Sequence, residues 1–292
     1  GDADPETRYT MAGSAFDRTP DQNAIVEGWT PPEIDVSRAH SARMYDYYLG
    51  GKTNFPADRA GAEQALEAFP HLKVGAQANR AFLLRLVRRL AGMGVDQFLD
   101  IGTGIPIEGR NTHDAAQAII PASRVVYVDN DPIVLAHARA LLTSNPAGAT
   151  AYIDADVRDP ESILGHPKLT STLDLDRPLA MLLIAVLPFV PDKPAETLAQ
   201  LTDRLPSGSY LGLSHLTADN DPAGVGRLVD TYRQTGINTQ ALTRAEVADL
   251  VPDGWEIVEP GVQILSQWLP DADAPAPDPV HVPAYGLLAR KL

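Results

Sequence analysis

The sequence predicts a doubly wound α/β fold: a mainly parallel sheet with helices on both faces, preceded by a helical cap. Three observations carry that prediction. Short apolar runs alternate with helically periodic segments from residue 96 to residue 215, the pattern of βαβ units. The first run, Phe98-Leu99-Asp100-Ile101, ends in Gly102-Thr103-Gly104, a glycine turn following a strand. Carboxylates stand at or near the ends of three runs, at Asp100, Asp129 and Asp156, which puts acidic groups along one edge of the sheet.

Residues 1–34 are polar, with Pro5, Pro20, Pro31 and Pro32 and little periodicity, and read as an extended arm. A helical cap or lid is predicted over 35–94. Ser37 is placed to cap a first helix through Met44, Tyr45 and Tyr48, which stops at Gly50-Gly51. Residues 52–56 form a loop. Asp58 is placed to cap a second helix through Ala62, Ala65 and Leu66, broken by Pro70. A third helix over 74–91 gathers Phe82, Leu83, Leu86, Val87 and Leu90 on one face.

The sheet domain is assigned to 95–292. After the opening strand, strands are predicted at 124–128, 149–153, 179–187, 209–215 and 255–258. A last strand at 285–290 brings the number to seven and is suited to antiparallel entry at or near the edge. Helices over 114–120, 132–145 and 195–205 connect the parallel strands. The stretch 158–177 reads as irregular with one helical turn. A helical insertion covers about 220–250, and its second helix carries a capping box, Thr243 with Glu246. Residues 270–283, rich in Pro, Ala and Asp, read as a solvated loop.

Composition narrows the function classes. Lys+Arg is 24 and Asp+Glu is 38, a net charge of −14 over 292 residues, which argues against a broad nucleic-acid surface. There is no cysteine, so disulfides, thiolate nucleophiles and Cys-based zinc sites are excluded. No apolar run approaches the ~20 residues that span a bilayer, and the first residues lack a signal-peptide core. A cytoplasmic protein without metal, membrane or nucleic-acid partners is the expectation, and its oligomeric state is open.

The glycine turn lacks the third glycine of a dinucleotide fingerprint. That position is Ile107, preceded by Pro106, which favours a smaller nucleoside ligand with a carboxylate tail over NAD or FAD. Asp129 ends the second strand, beside the first. A carboxylate there accepts from both ribose hydroxyls; the alternative is a cap on the helix at Pro132, for which Asp131 is better placed. Asp156 ends the third strand, where it suits an adenine amino group while the Val157 amide donates to a ring nitrogen. The alternative is a solvated loop aspartate like Asp154 or Asp159.

His113 and His215 are the candidate general bases, each alternatively a buried histidine satisfied by the backbone. Tyr45, Tyr47 and Tyr48 cannot share one helix face. Tyr47, Tyr48, Gly50, Gly51, Asn54 and Phe55 form either a lid over ligand and substrate or a packed cap.

Phe98-Leu99-Asp100-Ile101-Gly102-Thr103-Gly104, Val128-Asp129-Asn130-Asp131-Pro132 and Asp154-Ala155-Asp156 resemble motifs of Rossmann-like S-adenosylmethionine-dependent methyltransferases. More narrowly, Tyr47-Tyr48-Leu49-Gly50-Gly51-Lys52-Thr53-Asn54-Phe55, Asn79-Arg80-Ala81-Phe82-Leu83 and Ser214-His215-Leu216-Thr217 resemble an actinobacterial S-adenosyl methyltransferase group, formerly classed as a domain of unknown function. The resemblance spans about residues 35–292. It implies a seven-stranded sheet whose last strand is antiparallel, with S-adenosylmethionine as cofactor and S-adenosylhomocysteine as product. It also implies Gly102 and Gly104 at the methionine part, Asp129 on ribose and Asp156 near adenine. Asp100, Thr103, Asn130 and Val157 complete the expected site, and Arg80 meets either the methionine carboxylate or a surface acid. One departure stands out: Pro188 occupies the place of a histidine expected before Phe189-Val190.

The function expected from this is in-line methyl transfer to an oxygen or nitrogen nucleophile of a small molecule. The alternative is a regulatory protein that binds S-adenosylmethionine or S-adenosylhomocysteine without turnover.

Overall fold

The computed structural model describes residues 35–292, so the arm expected over 1–34 lies outside the described residues. Three helices precede the sheet: α1 (Ser41–Tyr48), α2 (Pro56–Ala68) and α3 (Leu72–Gly92). Ser37 does not cap α1, because its amide and hydroxyl both turn back to Asp35. His40 caps it instead, its Nδ1 accepting from the Ala42 amide at 3.1 Å. Asp58 is not the cap of α2 either. It sits inside the first turn, where its carboxylate accepts from the amides of Phe55 (2.9 Å) and His40 (2.8 Å) and ties the starts of both helices together.

The strands are β1 (Gln97–Ile101), β2 (Arg124–Asp129), β3 (Ala149–Asp154), β4 (Ala180–Leu183), β5 (Tyr210–Leu216), β6 (Trp255–Ile257), β7 (Gln263–Ile264) and β8 (Ala284–Lys291). Seven of them run in the order β3-β2-β1-β4-β5-β8-β6, and the two-residue β7 also pairs with β8. β1 to β5 are parallel. β8 is antiparallel to its neighbours and lies one place in from the edge. Every residue of β1 is buried, as a strand covered on both faces by helices requires. α3 lies directly on the sheet over Gly286 of β8, where a Cβ would come within 2.7 Å of the Phe82 ring.

The remaining helices are α4 (Thr112–Ile119), α5 (Pro132–Leu141), α6 (Pro160–Leu164), α7 (Pro167–Thr172), α8 (Pro194–Thr202), α9 (Pro222–Gln234) and α10 (Arg244–Ala248). The stretch 158–177 therefore holds two short helices, not one turn. Each opens on a proline, and Ile163, Leu164 and Leu169 anchor them in the core. The fourth strand stops at Leu183, four residues short of the apolar run. Ala185 turns left-handed (φ 59°) and residues 187–189 close a 3-10 turn that lifts the chain away from the sheet. β7, absent from the sequence reading, is too short to show a period. The Thr243–Glu246 capping box forms as read.

A second core joins the cap to α9. Met44 and Tyr48 of α1 and Ala62 and Ala65 of α2 meet Val225, Leu228 and Tyr232 of α9, and the hydroxyls of Tyr48 and Tyr232 lie 2.8 Å apart. The insertion thus packs on the helices that precede the sheet. Among the described residues no helix is long and apolar enough to cross a membrane.

Candidate functional site

The strand order reverses between β1 and β4, which parts the connections on the two sides and leaves a crevice at the carboxyl ends. A cleft of about 500 Å³ occupies it. Its floor comes from the turns after β1, β2, β3 and β4, and α1 with the segment after α9 closes over it.

The glycine turn forms the centre of the floor. Gly102 holds φ +70° and its amide donates to the Val128 carbonyl at 2.8 Å. A Cβ there would overlap Cγ2 of Val186. Gly104 holds φ +71°, and its amide donates to Asp129 Oδ2 at 3.1 Å. The Thr103 hydroxyl donates to the Asp100 carbonyl at 3.1 Å and fixes the turn to its own strand.

Asp129 is buried. Its Oδ1 accepts from the Asp131 amide at 2.9 Å, and a carboxylate's four lone-pair positions exceed the amides around it. Burial pushes its carboxyl up to about 7, although the amides of Asp131, Gly104 and Asn130 favour the ionised form. Asp131 is the helix cap, accepting from the Ile133 amide at 3.1 Å, which leaves Asp129 to the cleft. Burial also pushes Asp100 up to about 6, against the Thr112 hydroxyl, which donates to it at 2.7 Å, and the charge of Arg80. Arg80 is buried in the cleft wall and donates through Nη1 to the Arg110 carbonyl at 3.2 Å.

At the third strand end the Arg158 guanidinium grips the Asp156 carboxylate at 2.6 Å and holds its pKa below the usual carboxylate range. All nine residues expected around the cofactor line this one cleft: Arg80, Asp100, Gly102, Thr103, Gly104, Asp129, Asn130, Asp156 and Val157.

A smaller chamber of about 100 Å³ adjoins it and shares Tyr45, Asn79, Ala185, Phe189 and Tyr232 with it. A hydrogen-bonded chain runs along the shared wall. The Ala185 amide donates to Ser214 Oγ (2.8 Å), which donates to Asn79 Oδ1 (2.7 Å). Asn79 Nδ2 donates to the Tyr45 hydroxyl (2.8 Å), which donates to the Ala76 carbonyl (2.9 Å). Ser214→Ala leaves the Ala185 amide and the Asn79 oxygen without partners, so urea unfolding should show a loss of about 2 kcal/mol.

The two candidate bases part company. His215, at the end of β5, lines the chamber. His113 lines neither cavity; its Nδ1 lies 2.7 Å from the Tyr127 hydroxyl, with Asp114 on its other side at 3.4 Å, so it braces α4 against β2. Of the tyrosines, Tyr45 and Tyr48 point inward, whereas Tyr47 turns to Glu63 on α2.

The Gly50-Gly51 turn and its loop do not reach the cleft either. Asp46 holds them, accepting from the Thr53 amide and from Asn54 Nδ2, both at 2.9 Å. Phe55 packs with Ile105, Ile133 and Val134. Arg43, buried between Asp58 (3.4 Å) and Asp131 (3.9 Å), connects this packed turn region to the end of β2. These contacts are those of a packed cap. The sequence reading did not single out His40, Tyr45, Asn79, Ala185 and Tyr232 as site residues. The i, i+3 spacing of Tyr45 and Tyr48 and the place of Asn79 in the block Asn79-Arg80-Ala81-Phe82-Leu83 are signals for two of them.

Comparison with known proteins agrees with this geometry. A family model described as S-adenosyl methyltransferase matches residues 27–292. A DUF574 family protein from Streptomyces avermitilis MA-4680 is similar over 89% of this chain and 100% of its own, at 45% identity and a TM-score of 0.86. A Thermobifida fusca YX protein that carries a methyltransferase name without a stated substrate covers 90% of this chain and 99% of its own, at 41% identity and a TM-score of 0.82. The plantazolicin methyltransferase BpumL, solved with S-adenosylhomocysteine and a triazolic desmethylPZN analog, shares only the fold. Its identity is 14%, its TM-score 0.51, and the match covers 86% of this chain and 95% of that one. No curated protein matches. With a family model matched over nearly its whole length and two relatives above 40% identity, the chain belongs to the S-adenosyl methyltransferase family.

Proposed function

We propose that this chain transfers a methyl group from S-adenosylmethionine to an oxygen or nitrogen nucleophile of a small molecule. The observation that carries this reading is the convergence of the glycine turn and the strand-end acids on one cleft, with a small chamber beside it. When bound, the cofactor would supply a methyl group on a sulfonium, whose sulfur would keep the electron pair of the broken bond while the acceptor's proton passes to water.

The chain supplies alignment and a dry site. Asp129 takes the ribose hydroxyls on the lone-pair positions its amide partners leave open. Arg80 takes the methionine carboxylate, and Gly102 and Gly104 let the backbone come close to the cofactor. Asp156 and the Val157 amide face adenine. The acidic lining, Asp100, Asp129 and Asp156, suits a cationic cofactor.

The test is incubation with methyl-labelled S-adenosylmethionine and a library of small metabolites, followed by chromatography and mass spectrometry. The reading predicts label in a small molecule. Label confined to protein or nucleic acid contradicts it.

The raised Asp129 carboxyl gives a pH signature. Below about pH 7 the empty site holds a proton there, and accepting two hydroxyls requires the ionised form. S-adenosylhomocysteine binding should therefore release a proton at pH 6.5 and tighten as pH rises through 7. Calorimetry in two buffers of different ionisation heat measures the release, and Asp129→Asn should abolish it. The same shift acts on stability with the opposite sense. The folded chain keeps a proton that the unfolded one loses near the ordinary 3.8, so this group's contribution falls as pH rises from there to about 7.

A further inference from the structure

We infer that the chamber beside the cleft seats a neutral, hydrogen-bond-donating group of the methyl acceptor, a hydroxyl or an uncharged amine on a small ring or branched chain, held by Nε2 of His215. The inference rests on the methyltransferase reading above and names the acceptor's chemical class.

Three observations support it. First, among the described residues the chamber wall contains no Asp, Glu, Lys or Arg. Leu72, Pro188, Phe189, Leu216 and Leu228 make it apolar. A carboxylate, phosphate or ammonium entering it would be stripped of water with no countercharge to meet.

Second, a residue that lines the chamber carries a buried acceptor in need of a partner. His215 is 1% exposed, and its Nδ1 lies 2.9 Å from the Leu216 carbonyl oxygen. That oxygen only accepts, so the ring proton sits on Nδ1 and Nε2 presents a lone pair. Nε2 has no hydrogen-bond partner among the described residues. Burial holds the ring down to about 4, which keeps it neutral at physiological pH and makes it an acceptor, not a donor. A hydroxyl or N–H satisfies it, whereas an ether or a hydrocarbon leaves it orphaned.

Third, the size fits a small group. An apolar cavity of about 150 Å³ holds benzene. The chamber, at about 100 Å³, is smaller than that but shares a wall with the larger cleft, so it takes the donor-bearing part of a small ring or branched chain whose remainder extends into the cleft. Pro188 contributes to this selectivity. It is buried in the chamber wall and adds no further hydrogen-bonding side chain there.

The probes are phenol and toluene, which have equal numbers of heavy atoms and differ in the donor, with benzoate titrated in the same way as the charged counterpart. Calorimetry first establishes S-adenosylhomocysteine binding to the full chain. Phenol and toluene are then titrated into the loaded protein, with histidine 15N resonances followed in parallel. The inference predicts phenol at least tenfold tighter than toluene. It also predicts that the His215 Nε2 resonance moves toward its protonated position while Nδ1 stays fixed. His215→Leu should reverse the preference, and the wild-type resonance shift gives an answer even where that variant fails to fold.

Toluene binding as tightly as phenol, an unmoved Nε2 resonance at phenol saturation, or benzoate binding as tightly as phenol overturns the inference and leaves the methyltransferase reading standing. Absence of S-adenosylhomocysteine binding overturns that reading, and the acceptor role with it.

Discussion

Replacing Asp129 with alanine weakens S-adenosylhomocysteine binding at least tenfold, which corresponds to about 1.4 kcal/mol or more. The reason is geometric. Asp129 stands at the end of β2, buried, with its two oxygens fixed by the Gly104 and Asp131 amides. No rotamer search is needed before it accepts from a ligand, and the surrounding protein strengthens each hydrogen bond it makes. Alanine removes the acceptor proposed for ribose and also releases the Gly104 amide, so the glycine turn loosens. Titration calorimetry gives the affinity and thermal unfolding the stability. A variant that keeps its melting temperature and loses affinity places the effect in the site. An unchanged dissociation constant removes Asp129 from it.

Replacing Gly102 with alanine is expected to be costlier to the fold. Two penalties combine. The left-handed conformation at φ +70° costs an alanine about 1–2 kcal/mol. The added Cβ overlaps Val186 Cγ2, a branched side chain with little room to move, and overpacking of that kind costs about 1–3 kcal/mol. A loss of about 3 kcal/mol in urea unfolding is the expected sum. S-adenosylhomocysteine binding should fall with it, because the turn that lines the cleft and is proposed to meet the cofactor is displaced. The double variant Gly102→Ala/Val186→Ala should be less destabilised than the two single effects added, since truncating Val186 removes the clash and leaves only the backbone penalty. Strict additivity would show that the two residues do not meet.

Much of this arrangement is legible in the sequence because local chemistry dictates it. The apolar run at β1, the glycines that follow it and the aspartates at the strand ends each announce themselves within a few residues. Asp131 reads as a cap because Pro132 follows it, and Thr243 and Glu246 read as a capping box from their spacing alone.

What the sequence hides depends on partners far along the chain. Ser37 is the local exception, a plausible cap whose hydroxyl its near neighbour Asp35 takes, so His40 replaces it. The run 179–187 looks like one long strand, yet it turns off the sheet at Ala185, whose amide is held by Ser214, 29 residues on. Tyr45 reaches Asn79 and Ala76 across 34 and 31 residues. His113 and His215 look alike in sequence, and only the tertiary fold puts the first under Tyr127 and the second in the chamber.

The central claim is that the acidic strand ends of this sheet grasp a nucleoside carrying an amino-acid tail and no phosphate. Titration calorimetry of the full chain with S-adenosylhomocysteine, run beside an identical titration with NADH, tests it most directly. Saturable heat at one site per chain with the first and none with the second is the predicted result. Heat from NADH with none from S-adenosylhomocysteine would contradict it.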